Sequence, residues 1–65
     1  MMSQRLIDEI NRYSCFKFDL NKNRIINLQS NENTNIDEFL GIQFMLDSNR
    51  VLHTFERNFE IQIVI

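Results

Sequence analysis

At 65 residues, with seven basic against nine acidic side chains and a net charge of −2, the chain makes one small domain over residues 1–65 and lacks the basic excess of a nucleic-acid binder. Its single cysteine, Cys15, excludes an intrachain disulfide, and one cysteine with one histidine, His53, cannot furnish the usual zinc ligand set. A chain this short buries only about 60% of the surface it exposes when unfolded, so self-association or docking onto a larger partner is the stabiliser that remains.

Ser3 is placed to cap a first helix, in which Leu6, Ile7, Ile10 and Tyr13 form one apolar stripe. Phe16, Phe18 and Leu20 then spell a strand, and Ile26 and Leu28 a second. A three-residue loop at Asn21-Lys22-Asn23 would set Phe18 across from Ile26, with Asn23 in the left-handed slot that glycine usually fills. After a polar connector over 30–35, Asn35 and Glu38 have the spacing of a capping box, which predicts a short helix over 36–40 ending at Gly41. One longer helix through Leu46 is the alternative, because Ile36, Phe39, Leu40 and Phe44 also fit a helical stripe.

From Gly41 onward the chain alternates. Ile42, Phe44 and Leu46, then Val51 and Phe55, then Phe59, Ile61, Ile63 and Ile65 recur with the period of strands buried on one face. Polar breaks at 47–49 and 56–58, each ending in Asn, predict a three-stranded meander in which Met45 faces Leu52 and Phe55 faces Phe59. The expected fold is therefore α+β, in the order α-β-β-α-β-β-β, with both helices on one face of a five-stranded antiparallel sheet.

Few residues point to chemistry. His53 is the one natural acid–base group, with Glu56 three positions on, but it falls on the core face of its strand, where a structural role is expected. Cys15 has Lys17 two residues away and reads as a half-buried, unreactive thiol. Glu32, Asp37 and Glu38 lack the regular loop spacing of a calcium site and suit the positive end of a helix instead. Catalytic, metal and cofactor sites are all expected to be absent, and the chain is not expected to be an enzyme.

The stronger candidate is a surface. With the phenylalanines facing the helices, the opposite sheet face would carry Cys15, Ile25, Met45, Leu52 and Val64, more apolar than a solvated face should be. Ile25, Met45, Leu52 and Val64 are thus the candidate residues for binding a protein partner or a second copy. The expected function is a non-enzymatic protein-binding module of the inhibitor, immunity or adaptor type, present as a homo-oligomer.

Arg5, Arg12, Lys22 and Arg24, all in the first 24 residues, form the alternative, a nucleic-acid-binding regulator, although nucleic acid is not the expected partner. A small ribonuclease built on His53 ranks third. Apolar runs of only a few residues predict no membrane association, and the lone cysteine suits a reducing, cytoplasmic setting. The absence of Ala, Pro and Trp beside nine Asn, nine Ile and six Phe implies an AT-rich coding sequence, as in many phages and mobile elements.

Overall fold

Two α-helices and a four-stranded antiparallel sheet make up the fold, in a computed structural model that describes residues 2–64. The Ser3 hydroxyl accepts the Leu6 amide at 3.3 Å and starts α1 (Gln4–Asn11), whose Leu6 and Ile10, one turn apart, are buried. The chain then enters β1 (Phe16–Asp19) and turns back into β2 (Arg24–Asn27).

This hairpin closes one residue away from the expected register. Asp19 Oδ1 accepts the amides of Asn21 at 3.0 Å and Lys22 at 3.2 Å, which pulls Leu20 out of the strand and lengthens the loop to four residues. Asn23 takes the left-handed conformation (φ 54) as expected. Phe18 now faces Ile25 and Phe16 faces Asn27, so Ile25 turns inward and is fully buried, while Leu28 is left exposed.

The larger correction concerns residues 36–48. Asn35 Oδ1 accepts the Glu38 amide at 3.1 Å, and the helix it starts, α2 (Ile36–Ser48), runs straight through Gly41. The expected short helix and first meander strand are one helix, the alternative reading, so the sheet has four strands rather than five. Gly41 is a close-packing position: a β-carbon there would stand 2.9 Å from the Tyr13 hydroxyl of the α1–β1 connection. The helix ends at Asn49 in a Schellman turn, with the Val51 amide on Leu46 O at 2.9 Å and the Arg50 amide on Asp47 O at 3.1 Å. Arg50, not Asn49, holds the left-handed position (φ 55).

The last hairpin pairs β3 (His53–Phe55) with β4 (Ile61–Ile63), and β4 inserts beside β2 to give the order β1-β2-β4-β3. Its connector spans five residues, closed by the Glu56 amide on Glu60 O at 2.8 Å, with Asn58 (φ 63) and Phe59 (φ 57) both left-handed. Phe55 therefore faces Ile61 rather than Phe59. The slip of two residues preserves which way each side chain points. Ile65, expected to continue this strand, lies outside the described residues.

One face of the sheet presents Phe16, Ile25, Ile61 and Ile63 to Leu6 and Ile10 of α1 and to Ile42 and Leu46 of α2. Asn27 shares that buried face. Its Nδ2 donates to Thr34 Oγ1 at 2.9 Å and to Asn58 O at 3.1 Å, and its Oδ1 accepts the Gln29 amide at 3.1 Å, so it ties β2 to both connectors.

Candidate functional site

Of the four residues expected on an outward apolar face, the structure leaves two there. Leu52 (72% exposed) and Val64 (42%) stand together at one end of the sheet, joined by the Val64 amide on Leu52 O at 2.9 Å. Ile25 is part of the core. Met45, now on α2, is half-buried over a cleft and has no strand position from which to face Leu52.

His53 is oriented by its surroundings. Its side chain is 9% exposed, with Nδ1 2.7 Å from Val51 O and Nε2 3.7 Å from Asp47 Oδ1. A carbonyl oxygen can only accept, so Nδ1 carries the hydrogen and Nε2 faces the Asp47 carboxylate. The ring also meets Phe55 edge-on, with centroids 5.4 Å apart. Glu56 instead accepts the Thr54 hydroxyl at 3.0 Å and plays no part in holding the imidazole. The arrangement fastens the end of α2 to β3. Among the described residues, no cluster of three or more His, Cys, Asp or Glu side chains could hold a metal ion.

A cleft of about 440 Å³ opens between α1 and α2, lined by Glu9, Arg12, Tyr13, Ser14, Glu38 and Met45. On its wall, Glu38 Oε2 accepts the Ser14 hydroxyl at 2.8 Å and Oε1 the Cys15 amide at 2.9 Å. Desolvation pushes the Glu38 carboxyl up, but these bonds and a longer one from the Ser14 amide outweigh it and hold the carboxyl below its ordinary value. Glu38 thus pins the first turn of α2 to the entrance of β1. Cys15 is half-buried beside it.

The basic residues of the nucleic-acid alternative are dispersed among carboxylates. Arg24 lies along the sheet with Nε on Gln62 at 2.9 Å and a 3.5 Å contact to Glu60, and Arg5 stands 3.8 Å from Glu9. Arg12 borders the cleft with Glu9 and Glu38, and Lys22 sits in the exposed β1–β2 loop.

The surface that lacks a partner lies on α2 and β3. Phe39, Ile42 and Leu46 face the sheet, yet Ile36 (45% exposed), Leu40 (53%) and Phe44 (74%) follow one another at four-residue steps on the side away from it. A helix apolar on both sides normally has protein on both sides. Beside it, β3 forms one edge of the sheet. The bonds from Val64 to Leu52 and from Glu56 to Glu60 show that residues 52 and 56, and by alternation 54, turn their backbone toward β4. The N–H and C=O groups of His53 and Phe55 therefore point outward and meet no partner among the described residues.

The opposite edge differs. The outward amide of Phe18 in β1 donates to Asn11 Oδ1 at 2.9 Å, and Lys17 Nζ donates to the carbonyls of Asn11 and Tyr13 at 2.6 Å each, so the end of α1 covers that strand.

Sequence reasoning missed Phe44, because a period of two placed it in the core. The four-residue spacing of Ile36, Leu40 and Phe44 was the signal that could have found it. Compared with known proteins, the chain matches no family model, no curated protein and no solved structure. No helix among the described residues is long and apolar enough to cross a membrane.

Proposed function

We propose that this chain is a non-enzymatic protein-binding module that acts by covering part of a partner's surface with the outer side of α2. The observation that carries the reading is the line of Ile36, Leu40 and Phe44, exposed on a helix whose inner side is already filled. Single exposed apolar residues are ordinary on a protein surface, but a line of three on one helix offers i, i+4, i+8 anchors to a groove. Asp37 and Asp47 near the two ends of the line favour a partner whose groove is apolar at its centre and basic at its rim.

The test is affinity capture on the immobilised chain, followed by measurement of the captured protein's affinity. Phe44→Glu removes an exposed side chain from an anchor position and should weaken that affinity at least about thirtyfold, the effect of losing one dominant contact. Leu28→Glu, equally on the surface but beside β2, should leave it unchanged. Equal retention by the wild type and Phe44→Glu overturns the reading.

A further inference from the structure

We propose that β3 pairs with β3 of a second copy of this chain, so that two four-stranded sheets join edge to edge into one of eight strands. The inference rests on the reading of the chain as a protein-binding module and names one of its partners.

The backbone supplies the first argument. His53 and Phe55 present their free N–H and C=O groups on the same edge, one on each side of Thr54. A two-fold axis through Thr54 sets His53 opposite Phe55 of the second copy, and Phe55 opposite His53 of the second copy. Both are hydrogen-bonded pairs, so four outward groups in each copy are satisfied with no residue left over. The pairs that form place an imidazole beside a phenyl ring on the inner face, a contact the chain already makes within itself at 5.4 Å.

Helix α2 favours the same pairing. Phe39 meets Phe55 with ring centroids 5.7 Å apart, and Asp47 reaches His53, so this helix lies along β3. Ile36, Leu40, Gln43 and Asp47, at spacings of four, three and four, form its row nearest that edge. A strand added to β3 would cover Ile36 and Leu40 on one sheet face and Leu52 on the other. Together with the edge itself that is on the order of 500 Å² per copy, near the lower bound of specific interfaces, so the pair expected is a weak one. Phe44 lies further round the helix, away from β3, and stays exposed in the pair, whereas a partner seated on all three anchors competes with the second copy for Ile36 and Leu40.

The mass in solution tests this at up to about 1 mM, a concentration that populates a dimer of millimolar or tighter dissociation constant. The wild type should weigh twice the 7.9 kDa of one chain at the upper end and dissociate on dilution. Ligation at the Ser14–Cys15 junction allows a chain carrying N-methyl-Phe55, which blocks one outward donor and leaves every side chain in place. It should weigh 7.9 kDa throughout, as should Phe55→Lys, a second variant in case the first does not fold. Phe44→Glu should still pair. A wild type of single mass at every concentration overturns the proposal, and so does a dimer that survives both edge variants. If the wild type is monomeric yet captures a partner that Phe44→Glu loses, self-pairing is wrong and the docking surface on α2 stands.

Discussion

Arg50 occupies a position built for glycine. It follows the last turn of α2 in a left-handed conformation, with its own amide and that of Val51 returning to the helix carbonyls. A residue with a β-carbon strains there by about 1–2 kcal/mol, and part of that is recovered as lower freedom in the unfolded chain. Arg50→Gly should therefore stabilise the protein by about 1 kcal/mol and raise its Tm by about 5 °C in a thermal melt. Asn23→Gly should gain less, since asparagine tolerates the left-handed region better. The sequence displayed Asn23 and Asn58 correctly as left-handed turn residues, because their chemistry advertises it. Arg50 carries no such mark, and only the geometry of the helix end assigns it the strained role.

At the scale of elements, α2 decides how much of the fold could be read in advance. Ile42, Phe44 and Leu46 alternate like a strand, but Ile42 and Leu46 are also one helical turn apart, and it is that pair which the core selects. Gly41 looked like a stop signal, although glycine inside a helix is worse than alanine by only about 1 kcal/mol, less than the packing of about two further turns contributes. Its missing side chain lets the Tyr13 hydroxyl approach closely, a contact between segments that no local pattern reveals. The β1–β2 register was hidden for a related reason. The buried place across from Phe16 belongs to Asn27, satisfied by hydrogen bonds to Gln29, Thr34 and Asn58, and a reading that equates inward with apolar passes over it.

Glu38 fastens the first turn of α2 to the entrance of β1. Its carboxyl is held below the ordinary value of 4.5, so the stability it contributes is present above that pH and is lost as pH falls through the lower, folded value. Glu38→Gln should cost about 1 kcal/mol at neutral pH, the scale of hydrogen bonds to a partly solvated charge. The gap between mutant and wild type should close as melts are run at pH values progressively below 4.5. A constant gap across that range would show that the charge is not what matters at this joint.

For the whole molecule, the α+β class and the antiparallel sheet were legible because amphipathic periods survive small errors of register. The outward surface was legible only in part. Leu52 and Val64 lie outward as expected, Ile25 was lost to a slip of one residue, Met45 went with the helix, and Phe44 was sorted to the core by a period of two. If two copies share β3, unfolding is coupled to dissociation, and the Tm should rise with protein concentration. Differential scanning calorimetry over a hundredfold range of concentration checks this, and a Tm that does not move would tie stability to the single chain.

The unequal treatment of the two sheet edges limits what such pairing can build. A strand row open at both margins can recruit molecule after molecule and grow into a filament. Here Asn11 and Lys17 seal one margin, so a chain that has joined another through β3 offers no second site of the same kind. Asn11→Ala would free the outward Phe18 amide while Lys17 still holds the end of α1 beside the strand, a first step toward a sheet that can grow at both margins.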